Sequence, residues 1–250
     1  MRLTSRSLLY VVCLVLSWWT VAQDMLQTKL LAVANNSSQL QYYDNGENKD
    51  PSIGILKAVL QQAQLEANVE FMPWVRAFSI AKNKPNTLIL SMIRTPDREA
   101  DFHWIIKVSN LSRVFISLRD KPENKVDDMQ QAKQKLIAVV QGSASYNELT
   151  ANGFSEQQNL YVVTDSELMV TLLESGRVDL VYDDPINIRS TLDKRGKKDL
   201  AIRYKTIEAE NERSSYIAIN KASDMQIVNR LEQAAREFEK TAEYTRLLLE

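Results

Sequence analysis

The stretch SELMVTLLESGRVDLVYDD, residues 166–184, carries the reading that decides the fold. Ser166–Glu174 has the pattern of a helix, with Asp165 as its cap at one end and Gly176 at the other. Val178–Tyr182 is a short apolar run of the kind found in a buried strand. A helix that stops at a glycine and feeds a buried strand is one turn of an alternating α/β chain. Outward in both directions the alternation continues. Strands are expected at 30–34, 69–72, 87–92, 113–118, 135–140, 160–163, 202–205 and 216–219. Helices are expected at 53–66, 74–82, 143–152, 186–194, 225–239 and 242–249. Such a chain builds mostly parallel sheets covered by helices on both faces, and 250 residues suit two small units better than one.

Composition narrows the function classes. Apolar residues make up 44% and charged residues 25%, which excludes a disordered or collagen-like chain. The net charge is −1, from 31 basic and 32 acidic residues, and no half of the chain is strongly basic, so nucleic acid is excluded as a partner. The first residues carry Arg2 and Arg6, then an almost continuous apolar run from Leu8 to Val21, then Ala22 before Gln23. A basic start, a short apolar run and small residues before a cut describe a secretory signal peptide, residues 1–22. The run is short for a spanning helix, and polar sequence follows at once. The one cysteine, Cys13, falls inside this segment, so the mature chain has no disulfide, thiolate metal site or cysteine nucleophile. Removal of Arg2 and Arg6 takes the net charge from −1 to −3. An exported, cysteine-free, mildly acidic protein fits a bacterial periplasm.

The longest polar stretch, Asn35–Asp50, follows the first strand. It is expected as a surface loop at a carboxyl strand end, where open α/β sheets bind ligands. A second polar loop is expected at Arg119–Asp128.

Three segments carry a family resemblance. One is VEFMPWVRA at 69–77 followed by LILSMIRTPDREADF at 88–102. The second is VVQGS at 139–143, and the third is LESGRVDLVYDD at 173–184. In order and spacing they resemble family 3 of the extracytoplasmic solute-binding proteins, the amino-acid-binding components of bacterial ABC importers. The resemblance implies a type II periplasmic-binding-protein-like fold: two α/β lobes with mixed or parallel sheets, helices on both faces and a hinged cleft. The first lobe would comprise 23–112 plus 213–250, and the second 113–212. The implied partners are a small amino-acid-like or carboxylate ligand and an ABC permease or membrane sensor, with a monomer as the default. No cofactor and no metal is implied.

The same resemblance assigns a site. Arg98 matches the arginine that holds the ligand carboxylate bidentately, and is expected at the start of a helix, where free N–H groups favour anions. Asp184 matches the aspartate that accepts the ligand ammonium; Asp183 or Asp184 could equally cap the helix after Pro185. Gly142 and Ser143 match a turn whose backbone donors clamp the carboxylate from the second lobe. Ser91 stands at the end of the strand before Arg98. Tyr42, Tyr43 and Trp74 are candidate rings for the ligand side chain, with core or surface packing as the alternative use. Trp104 is assigned to packing. The sequence departs from the family where Ile93 replaces a frequent Ser or Thr and where Ala144 replaces a frequent Thr. Arg94 adds a second cation four residues before Arg98, which would suit a dicarboxylate or another more anionic ligand.

Two other classes remain in view. A cleft enzyme of the dehydratase type would use Asp183, Asp184 or Glu99 as acid or base. The lone histidine, His103, sits between Phe102 and Trp104 and forms no nucleophile–His–acid set. No phosphate loop or dinucleotide glycine pattern occurs among the six glycines. A ligand-sensing module for a membrane receptor is the other class, and one chain alone does not separate it from an importer component.

Overall fold

The computed structural model describes residues 30–35, 43–44, 47–48, 51–205 and 213–249. The expected signal peptide and its cleavage point lie outside the described residues. The chain enters as β1 (Leu30–Asn35), whose Leu30, Ala32, Val33 and Ala34 are all buried. A short antiparallel pair, β2 (Tyr43–Asp44) and β3 (Glu47–Asn48), occupies part of the polar stretch read as a loop. Then follow α1 (Pro51–Ala63), β4 (Ala67–Met72), α2 (Trp74–Asn83) and β5 (Thr87–Ile93). A 3₁₀ turn at Pro96–Arg98 leads into β6 (Phe102–Leu111). After two residues the chain starts β7 (Val114–Leu118), followed by the short α3 (Met129–Ala132), β8 (Ile137–Val140) and α4 (Ala144–Ala151). Next come β9 (Leu160–Val163), α5 (Ser166–Glu174), β10 (Leu180–Asp183), α6 (Pro185–Lys194) and β11 (Ile202–Lys205). The chain closes with β12 (Arg213–Asn220), α7 (Met225–Phe238) and α8 (Ala242–Leu249).

These strands make two five-stranded sheets, ordered β4-β1-β5-β12-β6 and β11-β7-β10-β8-β9. Both are mixed. In the first, β4, β1 and β5 run parallel, and β12 is antiparallel to β5 and β6 on either side. In the second, β10, β8 and β9 run parallel, and β7 is antiparallel to β10 and β11. The chain therefore crosses between sheets twice, once between β6 and β7 and once between β11 and β12.

Burial explains why strands form here. In β7 all five residues are buried, and so are all four in β8. Alternation sends Phe115, Ile137 and Val139 into one core and Ile116, Ala138 and Val140 into another. A strand buried on both faces reads as a continuous apolar run. The first sheet is covered by α1, α7 and α8. Ile55, Leu56 and Val59 meet Val228 and Leu231 over Leu88, Leu90 and Ile219. In α7 the buried residues Ile227, Val228, Leu231, Ala234, Ala235 and Phe238 follow helical spacing, and the Asp224 carboxylate accepts the Gln226 N–H at 2.8 Å to start it.

The helix that opened the reading ends as expected. Asp165 accepts the Leu168 N–H at 2.9 Å. At the other end Gly176, at φ +65°, and Arg177 return their N–H groups to Leu173 and Leu172.

Two local expectations need correction. Arg98 does not open an α-helix: Pro96 starts a single 3₁₀ turn, and the chain enters β6 four residues after Arg98. The ten-residue β6 has no counterpart among the expected strands. The expected packing role of Trp104 corresponds to ring contacts with Phe102 at 6.3 Å and Tyr216 at 5.8 Å.

Candidate functional site

The crevice between the two sheets is lined from both sides and encloses about 850 Å³, its open mouth included. From the first sheet come Asn35 at the end of β1, Leu90, Ser91 and Ile93 of β5, Trp74 at the start of α2, and Arg98. From the second come Arg113, Val140, the Ser143–Ser145 segment, Ser166, Tyr182, Asp183, Asp184 and Asn187. Most of these sit at carboxyl strand ends or at the helix starts that follow them, as expected for open α/β sheets.

Arg98 is 2% exposed. Its guanidinium lies 5.4 Å from the Trp74 ring and 5.1 Å from the Phe78 ring, in cation–π range of two rings that themselves touch at 5.6 Å. Nη1 donates to the Ile93 carbonyl at 3.0 Å, and Nε is buried with no hydrogen-bond partner among the described residues. Burial pulls its pKa down to about 10, and the nearby positive charge of Arg113 adds to the fall against the opposing pull of Asp97. Arg98 thus remains a cation at neutral pH, facing a second cation across the crevice. Arg113 itself hydrogen-bonds through Nη1 to Ser145 Oγ.

Ser91 has φ +55° inside a strand. There the register of β5 against β12 slips, with three steps on β5 against two on β12 between the Ile89 and Met92 pairs. This is a bulge, and it re-aims the strand end toward the crevice.

On the opposite wall, Ser143 caps α4, its hydroxyl accepting the Tyr146 N–H at 3.1 Å. The first N–H groups of α4 have no carbonyl within the helix to bond, and Ala144 and Ser145 present this end to the crevice. Gly142, at φ +62°, supplies the tight turn before it. Its carbonyl accepts the Trp74 Nε1–H at 2.9 Å, a direct bond between the two sides.

At the end of β10 stand two aspartates. Asp184 is 5% exposed and caps α6. Burial raises its pKa, and backbone N–H groups of Ser112, Ile186 and Asn187 oppose the rise. Asp183 is also raised, by burial first, with the charge of Arg113 acting against it.

Of the residues singled out in the sequence, Arg98, Asp184, Ser143, Ser91 and Trp74 meet in this crevice, and Gly142 borders it through its carbonyl. Arg94 does not line it. Its Nε and Nη2 bind Glu99 at 2.7 and 3.0 Å, and its guanidinium lies 5.3 Å from Trp104 and 5.8 Å from Tyr216. Tyr42 lies outside the described residues, as does the side chain of Tyr43. Sequence reasoning missed Arg113 and Asn187. Both are ordinary surface-type residues in the sequence, and only the chain crossing and the first turn of α6 bring them in. Among the described residues no cluster of three or more His, Cys, Asp or Glu is placed to hold a metal, and no helix is long and apolar enough to cross a membrane.

No family model matches the chain. The L-cystine-binding protein TcyA of Bacillus subtilis is 20% identical over 198 residues, covering 78% of this chain and 70% of that protein. Among solved structures, the arginine-, lysine-, histidine-binding protein ArtJ of Geobacillus stearothermophilus superposes with a TM-score of 0.72 at 17% identity, covering 88% of this chain and 93% of that one. A histidine kinase sensor domain with similarity to periplasmic binding proteins reaches a TM-score of 0.76 at 11% identity, covering 88% and 94%. Two mixed sheets flanking a shared crevice, together with these likenesses, bear out the resemblance: the chain is similar to the family 3 solute-binding proteins and has their two-lobed α/β fold.

Proposed function

We propose that this protein binds a small amino-acid-type zwitterion between its lobes, without turning it over, and delivers it to an ABC permease. The observation that carries the reading is the opposition of charge across one crevice. Arg98 comes from the first sheet, and the Asp183–Asp184 pair comes from the second. A carboxylate seated between Arg98 and Arg113 would relieve their repulsion and give the Arg98 guanidinium an anionic partner. The start of α4 would add backbone donors, and the aspartate end of β10 would meet the ammonium. The lobes, 23–112 with 213–250 and 113–212, would close about the two crossings, with the Trp74–Gly142 bond made on closure. Export to the periplasm, with removal of the leader near Ala22, and a monomeric state complete the proposal. The amino-acid class is supported by the relatives, whose names give L-cystine and arginine, lysine or histidine as what they bind.

Sensing is the second reading, favoured by the histidine kinase sensor domain among the structural neighbours. A thermal-shift panel of amino acids, dicarboxylates and amines tests the first reading. Amino acids should raise the melting temperature with concentration, as a ligand that binds only the folded state must. A panel in which no amino acid does so, or turnover of any bound compound, overturns it. Pull-down with a permease against a kinase fragment separates delivery from sensing.

A further inference from the structure

The adjacent aspartates at the end of β10 are held in different ways. Both oxygens of Asp184 are engaged by backbone donors. Oδ1 accepts the Ile186 N–H at 2.8 Å, and Oδ2 accepts the Ser112 N–H at 2.7 Å. Ser112 lies in the first crossing between sheets, so this carboxylate ties the crossing to the start of α6. Asp183 is engaged differently. Its Oδ1 accepts the Asp184 N–H at 2.8 Å, and its Oδ2 accepts the amide of Asn187 at 2.8 Å.

Asn187 is the informative residue. Its Nδ2 donates both to Asp183 and to Ser166 Oγ, at 3.2 Å. An ionised carboxylate only accepts, so the amide must turn its NH2 toward Asp183. That orientation leaves Oδ1 as the remaining polar atom of the side chain. It is buried, belongs to a residue lining the crevice, and has no partner among the described residues. An unsatisfied buried acceptor is costly. Carboxylate oxygens of both aspartates keep lone-pair capacity; what sets Asp183 apart is its bond to Asn187, the residue that carries the unpartnered acceptor. Together Asp183 and Asn187 Oδ1 offer what an ammonium requires: a negative charge and a second acceptor, on two bonded residues that both line the crevice.

Resting on the reading above, we propose that the ligand ammonium is received by Asp183 and Asn187 Oδ1, whereas Asp184 is a positioning residue that holds the crossing segment against α6. This departs from the role assigned to Asp184 by sequence resemblance.

The test uses isothermal titration of the mature chain with L-arginine and L-cystine, each paired with its deaminated counterpart, δ-guanidinovalerate and dithiodipropionate. Asp183→Asn and Asn187→Leu should each weaken the amino acid about ten- to hundredfold, as expected for hydrogen bonds to a charged group, and leave the deaminated compound within about twofold. Asp184→Asn should weaken both compounds alike and lower the unliganded melting temperature, since it loosens the crossing. The assignment is overturned if Asp184→Asn alone removes the preference for the amino acid, or if Asp183→Asn and Asn187→Leu cost both compounds equally. Should one of those two variants fail to fold, the other decides. Where the deaminated compound is too weak to measure on the wild type, an Asn187→Leu protein that keeps full affinity for the amino acid overturns it. A wild-type protein that binds no amino acid fails the underlying reading itself, a result seen before any variant is made.

Discussion

Arg98 illustrates at the residue scale how function and stability pull apart. A guanidinium 2% exposed, with Nε unpartnered among the described residues, carries a desolvation penalty that its single carbonyl bond and two ring faces only partly offset. Replacing it by methionine should therefore raise the unliganded stability by about 1 kcal/mol or more in chemical denaturation, while ligand-induced stabilisation disappears. Arg98→Lys keeps the charge but loses the fork, and should also lose most of the ligand response. Asp183 gives a pH prediction. Its pKa lies above the ordinary 3.8, so the folded state holds the proton more firmly than the unfolded state does. Stability from this group is therefore greatest at low pH and falls as pH rises through the window above 3.8. Ligand affinity should run the opposite way, weakening as pH falls through that window, because the ammonium needs the ionised form. The groups that face Asp183 are Arg113, Asp184 and Asn187. Titrations across this range should show both slopes, with Asp183→Asn flattening each.

Elements show what the sequence made legible and where it stopped. Strands with every residue buried, such as β7 and β8, and capped helices, such as α5, stand out because one local rule governs them. The ten-residue β6 does not. Among the described residues it lies at the sheet edge and pairs with β12 alone, and two register slips break its alternation, so that Ile105 and Ile106 are buried in succession. The two arginines of the Arg94–Arg98 segment look equivalent at a spacing of four. A strand end and a 3₁₀ turn separate them, and Glu99 with the Trp104 and Tyr216 rings draws Arg94 away from the crevice. Arg113 was hidden for a different reason: its place in the site depends on how two sheets meet, a long-range fact that no local pattern encodes. The bond from Trp74 to the Gly142 carbonyl belongs to this scale as well. Trp74→Phe keeps the ring and removes the donor. Affinity should fall roughly two- to tenfold, the worth of one net hydrogen bond, and the unliganded melting temperature should fall too, because Trp74 is buried in the core cluster that joins the lobes. Loss of the Asp165 cap in Asp165→Ala should cost about 1 kcal/mol of stability without touching affinity, as equilibrium denaturation and titration would show.

Across the whole molecule the cores and the crevice are separable in part. The first-sheet cluster around Leu231 and Ile55 shares only Leu90 with the crevice lining among the described residues. Leu231→Ala should therefore lower stability by about 2–5 kcal/mol and leave the dissociation constant unchanged. A second cluster joins Val33, Ile89 and Trp74 of one lobe with Ile116, Val140 and Val181 of the other, so apolar contact continues behind the polar site. The order of strands also has a consequence for how the molecule is made. In the first sheet β12 fills the slot between β5 and β6. Among the described strands, a nascent chain that has emerged only to residue 205 holds all of the second sheet, yet β6 still lacks its neighbour β12. At ordinary elongation rates the wait from residue 111 to residue 213 lasts about 5–20 s. The half of the protein begun first is thus finished last, and the newborn chain stays incompletely folded until its tail arrives.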